Sequence, residues 1–306
     1  MSVLALAAAL LLTGAPAPTS SATPGADAVV AKASQQQANV AWSFLSTEQR
    51  AALLAQESSR PLQERLLSVS ERFLGTPYVF SPLGEGQGVD PDPTFRVDAV
   101  DCLSFVEQAL AMSLAPRPEE VPVVLEHLRY ASTPSYEDRN HLMESQWLPN
   151  NLRKGFLVDV TRRHGAGDTV RAEKTLTART WTSRSSLALQ LPKARQPQGT
   201  WALDMIPLDK VMAHARSLPS GTILVVLRED LPLKATRVTH LGFVVQKGKR
   251  TYLRHAARSV YQRVVDEDLE AFLARHARYE KWRVSGVSLF EARRPADQAS
   301  ALSPTP

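Results

Sequence analysis

The hydrophobic pattern of this chain changes character after "LPSG" at 218–221, and that change limits what it can fold into. Downstream, "TILVVLR", "VTHLGFVVQ", "TYLRHA" and "VYQRVV" are rich in β-branched and aromatic residues with turn residues between them, and "SLFEAR" adds a fifth segment of the same kind. These read as strands. Upstream the signals are helical: "STEQRAALLAQ", capped by Ser46, then "PLQERLLSVSERFLG" from Pro61 to Gly75, and "PEEVPVVLEHLRYA". Helices first and an antiparallel sheet later make an α+β domain. Between them, "TPYVFSPLGEGQGVDPDPTF" reads as an extended loop, and "YEDRNHLMESQWLPNNLRKGFLVDVT" as an irregular polar-aromatic stretch. Residues 165–200 carry too little periodicity to assign, and no internal repeat is present.

The ends differ from the middle. Residues 3–12, "VLALAAALLL", form an apolar run of signal-peptide length, too short to span a bilayer, with small-residue sites "APA" at 15–17 and "ADA" at 26–28 behind it. No Lys or Arg precedes the run, so a cytoplasmic location stays open beside the favoured exported one, periplasmic or extracellular. With no cysteine nearby, no stable membrane anchor is expected. The expected organisation is a signal-like segment at 1–20, a flexible linker at 21–45, one domain at 46–294 and a disordered tail at 295–306. Lys and Arg outnumber Asp and Glu by 36 to 31 and are scattered, which excludes a dedicated nucleic-acid arm.

The chain of 306 residues has one cysteine, Cys102, in "VDAVDCLSFVEQALAMSL". One cysteine cannot form an internal disulfide, and zinc would lack its usual paired thiolates, so no metal or other cofactor is expected. Cys102 is then either an inert buried residue or a nucleophile. Leu103, Val106, Ala109 and Leu110 share one helical face, widened by Phe105 and Met112, so the helix is central. Asp98 or Asp101 is its N-cap, which puts Cys102 in the first turn, where free N–H groups and the helix dipole favour a thiolate and form half of an oxyanion hole. Asp101 beside the thiol opposes that effect. Glu107, five residues on, points to another side of the helix.

A nucleophilic thiol needs a base. His127, His214 and His276 lie in charged helical stretches and read as surface residues; His164 precedes a Gly-containing turn. His240 and His255 instead interrupt strands. If "FVVQKGKRTYL" is a hairpin with a two- or four-residue loop, position 246 faces 251 and 242 faces 255. His240, Gly242 and His255 then share a face, the two His being diagonal neighbours roughly 7–8 Å apart at the backbone. One ring can orient the other, and Gly242 leaves room for a substrate. Cysteine at a helix start, His on a strand and a polar orienter on the next strand make a papain-type arrangement.

"FLGTPYVFSPLGEG", "DCLSFVEQALA", "RVTHLGFVV" and "YLRHA" resemble the NlpC-type cysteine hydrolases of bacterial cell walls, over residues 60 to 294. "RNHLMESQWLPNNLRKGFLVDVT" resembles the branch of N-acetylmuramoyl-L-alanine amidase-like proteins once classed as a domain of unknown function. The resemblance implies an NlpC-type papain-like fold, Cys102 as nucleophile, His240 as general base and His255 as orienter, with Tyr78 near the substrate; Asp101, beside the thiol, is also read as a substrate-binding residue. Arg139 and His141, on the irregular segment, are substrate contacts or a structural pair; the polar-aromatic character of that segment itself suits a sugar, with Trp147 as the platform for its ring. Two departures bear on specificity: Gly221-Thr222 stands where the family has Gly-Asp, and the 15-residue spacing of the two His is longer than usual.

The sequence is thus read as an exported cysteine amidase cutting the N-acetylmuramoyl–L-alanine bond of peptidoglycan fragments, with anhydromuropeptides as favoured substrates. A γ-D-glutamyl-diamino acid endopeptidase is the alternative enzyme, and a non-catalytic wall-binding module the alternative of another class.

Overall fold

Ser46 begins the first helix as expected, its hydroxyl accepting from the Gln49 N–H while the Gln49 side chain accepts from Ser46 N–H. A computed structural model describes residues 40–295. The signal-like segment, the linker up to residue 39 and the tail from 296 lie outside the described residues. Within 40–45, expected to be linker, Trp42 is fully buried and donates its indole N–H to Val69 O at 2.9 Å, so the ordered domain starts earlier than the capping signal suggests. A large apolar ring takes part in the core regardless of the linker-like composition just upstream.

The helices are α1 (Thr47–Glu57), α2 (Leu62–Glu71), α3 (Cys102–Leu114), α4 (Val121–Arg129), α5 (Leu148–Arg153), α6 (Thr161–Gly165), α7 (Arg184–Leu187), α8 (Val211–Ala215) and α9 (Leu269–Ala277). The strands are β1 (Leu157–Asp159), β2 (Val170–Leu176), β3 (Gly199–Pro207), β4 (Ile223–Arg228), β5 (Val238–Lys247), β6 (Arg250–Ala257), β7 (Arg263–Asp268) and β8 (Val284–Ala292). They form one antiparallel sheet in the order β2-β3-β8-β4-β5-β6-β7, with β1 added on β8. The fold is α+β, as read from the pattern.

Alternation along the strands gives the sheet two apolar faces. Val225, Leu241 and Phe243 face α2, α3 and α4, and Phe105 of α3 meets Phe73 and Phe243 edge-on at 5.6 and 5.5 Å. Leu224, Val244 and Leu253 pack with Phe272 and Leu273 of α9 on the other face. Every residue of α3 from Ser104 to Leu114 is buried, which fixes the helix start against the sheet.

Two elements differ from expectation. "VYQRVV" is only partly strand: β7 begins at Arg263 and runs on through Asp266, Glu267 and Asp268. The unassigned stretch contains β2, which pairs with β3 over seven residue pairs. In β2 Val170 is exposed and Lys174 buried, which blurs the alternation, and a long turn-rich connection replaces the tight hairpin loop that marks such pairs in sequence.

Candidate active site

Asp101, not Asp98, caps α3. One of its carboxylate oxygens accepts from Ser104 N–H at 2.8 Å, and the Ser104 hydroxyl accepts from Asp101 N–H at 2.8 Å. The other oxygen accepts from Ser81 N–H at 3.1 Å and ties the 76–95 loop to the helix start. Asp98 lies in solvent, paired with Arg96. Asp101 lines the cavity described below, but both oxygens already hold main-chain N–H groups; its first task is to fix Cys102 rather than to bind substrate.

Cys102 is half-buried in the first turn. Burial, followed by the Asp101 charge, pushes its thiol well up from the ordinary value, against the N–H groups of Leu241, Leu103 and Cys102 itself. Of the two opposed effects read from the sequence, burial and the Asp101 charge outweigh the helix start.

The β5–β6 hairpin closes through the two-residue turn Gly248-Lys249, with Gln246 opposite Thr251 and Phe243 opposite Arg254, the register anticipated for a two-residue loop. A bulge at Thr239, where His240 pairs with Val226 but Val238 with Leu227, turns Thr239 and His240 toward the same cavity. His240 Nε2 lies 2.6 Å from His255 Nδ1, and His255 Nε2 lies 3.1 Å from Glu267 Oε2. Arg275 Nη2 donates to both Glu267 oxygens at 2.8 and 2.6 Å. Glu267 is two residues beyond Val265, the residue opposite His255, so it is a diagonal neighbour on the same face.

These contacts set the tautomers. A carboxylate only accepts, so His255 donates from Nε2 to Glu267 and its Nδ1 is an acceptor. His240 must then donate from Nε2, which leaves its Nδ1 lone pair free. Burial, then the neighbouring His255, His276, Arg275 and Arg228, holds the His240 pKa well below its ordinary value, so the ring is neutral and basic at Nδ1. Phe272 packs against both rings, with centroids at 5.9 and 5.3 Å.

Three expectations are corrected here. Gly242 does not open space for a substrate: a Cβ there would sit 2.5 Å from Arg254 O and 2.8 Å from His255 Cβ, so the glycine lets β6 close in and carry His255 to His240. His276 is not a free surface residue. It packs on Phe272 at 4.4 Å, and burial, then Arg275, lowers its pKa to about 4. Trp147 is 0% exposed and belongs to the core, so no sugar can stack on it.

A cavity of about 360 Å³ is lined by Tyr78, Asp101, Cys102, Arg139, His141 and His240, bringing together every predicted site residue except His255, which is buried behind His240. Among the described residues Cys102 makes no hydrogen bond to either imidazole. Burial, then Cys102 and Asp101, keeps the Tyr78 hydroxyl protonated. Arg139 donates to Glu85 at 2.9 and 2.5 Å and to Asp90 at 2.9 Å. His141 Nε2 lies 2.6 Å from the Tyr136 carbonyl, which accepts its proton, and burial lowers its pKa. This segment is thus strongly braced as well as cavity-lining.

Glu107 also lines the cavity, contrary to the expectation that it points elsewhere on α3, and burial pushes its pKa up to about 7. Arg129 lies across from it, Nε to Oε2 at 3.9 Å. Glu85, Glu267, Arg275 and Arg129 escaped the sequence reading. A carboxylate at diagonal spacing from His255 was the one available signal, and it points to Glu267. Among the described residues no cluster of His, Cys, Asp and Glu suits a metal ion.

The fold and this cavity are those of an α+β protein with a thiol and an imidazole at one pocket. Residues 68–278 match the model of the AmiA-like family, described as N-acetylmuramoyl-L-alanine amidase-like, and the chain belongs to that family. The family is one of amidase-like hydrolases, which implies a peptidoglycan-type substrate. Among solved structures, a Legionella pneumophila protein of family DUF1460 is similar with a TM-score of 0.71 at 21% identity, covering 86% of this chain and 98% of that one. An N-acetylmuramoyl-L-alanine amidase from Bacteroides uniformis is similar with a TM-score of 0.61 at 22% identity, covering 76% and 99%. A Bacteroides fragilis protein described as a candidate xylanase has a TM-score of 0.58 at 23% identity, covering 73% and 99%. No curated protein matches.

Proposed function

We propose that this chain is an exported cysteine amidase of papain type that hydrolyses the N-acetylmuramoyl–L-alanine bond of peptidoglycan fragments. The observation that carries the reading is the hydrogen-bonded series Glu267, His255, His240, which ends on a residue that lines the cavity where the chain's single cysteine sits. Family membership supplies the bond class.

Cys102 Sγ attacks the lactyl carbonyl carbon while His240 Nδ1 takes the thiol proton. A neutral thiol beside a neutral ring suits this order, because charge develops only on attack. The half-buried Tyr78 hydroxyl, kept protonated, is the cavity donor available to the developing oxyanion. Collapse breaks the C–N bond as His240 returns the proton to the L-Ala amine, leaving a thioester on Cys102. A water activated by the same ring releases the lactyl carboxylate and restores the thiol. His255 holds the His240 tautomer throughout. Contacts between nucleophile and base are often long in unliganded enzymes and tighten with substrate.

Incubation of a defined muropeptide with the wild type and with Cys102→Ala tests the mechanism. The wild type releases peptide and the variant, with an unchanged melting temperature, releases none; release by a folded Cys102→Ala would rule the reading out. Export is tested by N-terminal sequencing of the mature protein, which begins between about residues 18 and 29; a product starting at Met1 would argue for a cytoplasmic enzyme.

A further inference from the structure

Glu107 and Arg129 form a polar floor to the cavity that the mechanism above does not use. Glu107 is 4% exposed and Arg129 5%. Both line the cavity that holds Cys102. The Arg129 Nη2 donates to Leu83 O at 3.2 Å, which pins the guanidinium, but its Nε and Nη1 are buried without a hydrogen-bond partner. Glu107 has the Trp147 indole N–H close by, too poorly placed to make a full hydrogen bond. The 3.9 Å between Arg129 Nε and Glu107 Oε2 is an ion-pair distance too long for a hydrogen bond.

Buried polar groups left open are costly and uncommon, so a folded protein that keeps two guanidinium nitrogens of a cavity-lining arginine open has an arrangement completed by something else. The pair offers one acceptor and one donor on adjacent atoms. A hydroxyl beside them satisfies both at once, donating its proton to Glu107 and accepting from Arg129, and two ordinary hydrogen bonds of about 2.8 Å span a 3.9 Å gap when they meet at about a right angle. A trans secondary amide does not fit so well, because its N–H and C=O point in opposite directions.

We infer that Glu107 and Arg129 bind a hydroxyl of the substrate's sugar and so set the preference for a glycosylated peptide. This rests on the amidase reading for the identity of the sugar, and the tests below separate the two. Measure kcat/KM on a muropeptide and on D-lactoyl-peptide, which keeps the scissile amide but has no sugar. Glu107→Gln is expected to lose about 10- to 100-fold on the muropeptide and to stay within about twofold on the lactoyl-peptide, the loss of one hydrogen bond to a charged group. The double variant E107Q/R129Q, which removes both charges, shows the same sugar-specific loss and covers the case in which E107Q alone fails to fold. Binding of free N-acetylmuramic acid to Cys102→Ala, measured by NMR titration, is abolished by adding Glu107→Gln. Equal effects on both substrates, or none, would overturn the inference while leaving the amidase intact. Sugar binding that depends on Glu107 without any hydrolysis would leave the pair standing and remove the amidase.

Discussion

Replacing Glu267 probes the tautomer chain without touching the cavity. The Glu267 side chain is 5% exposed, His255 2% and Arg275 34%. Burial alone would raise the Glu267 pKa, yet its contacts to His255 and Arg275 lower it overall, so the carboxylate is charged and bound at both ends. In Glu267→Ala the His255 Nε2–H loses its acceptor inside the protein, at a cost of about 1–3 kcal/mol in stability, while Arg275 turns to water. The His255 proton is then free to move to Nδ1, which makes His240 Nε2 the acceptor and places the His240 proton on Nδ1, the nitrogen that must be bare. A hydrogen bond to a charged group contributes about 1.5–3 kcal/mol, which corresponds to a loss of about 10- to 100-fold in kcat/KM. Glu267→Gln keeps an acceptor oxygen without the charge and loses about tenfold or less. Both are assayed by chromatographic quantification of released peptide at a temperature well below each variant's melt. A folded Glu267→Ala within twofold of wild type would refute the relay.

Other outcomes follow from the same geometry. Because the His240 pKa is held well below its ordinary value, the base stays unprotonated into acid, and the acidic limb of the kcat/KM profile falls well below pH 6.5; a limb at or above 6.5 would contradict the assignment. His276, with a folded pKa of about 4 against about 6.5 unfolded, binds its proton more readily in the unfolded chain. Its contribution to stability is full above about pH 6.5 and is lost as pH falls toward 4, so His276→Gln flattens the melting temperature over that window. Trp147→Ala destabilises by about 3–5 kcal/mol as a core deletion, and a variant that melts normally but loses sugar affinity would reverse that conclusion. Gly242→Ala forces β5 from β6 and costs about 1–3 kcal/mol together with most activity; unchanged turnover would mean that the close approach is dispensable.

The parts of the site legible in sequence were those fixed by local rules. An Asp N-cap put Cys102 at a helix start, and period-2 alternation with a two-residue turn put His240 and His255 on one face. What escaped depends on depth. The thiol's protonation state follows from how far the helix start is buried, which no local pattern states. Glu107 was misjudged from its angle on the helix because the cavity extends around α3 to meet it. Trp147 sits in a polar segment yet points inward, and the β2–β3 pair hides behind a long connection and an alternation blurred by exposed Val170 and buried Lys174. Arg139 was seen, but its partners Glu85 and Asp90 belong to a Gly-rich loop some 50 residues upstream, and only the fold joins them.

The bond itself is the central claim, and one digest addresses it. A defined muropeptide and its sugar-free stem peptide are incubated separately with the wild-type protein and the products are weighed by mass spectrometry. The account predicts that the muropeptide yields the free sugar acid and an intact stem peptide beginning with L-Ala, while the stem peptide alone is left whole. Release of L-Ala-γ-D-Glu from the free peptide would contradict it and assign the chain to the stem-peptide endopeptidases.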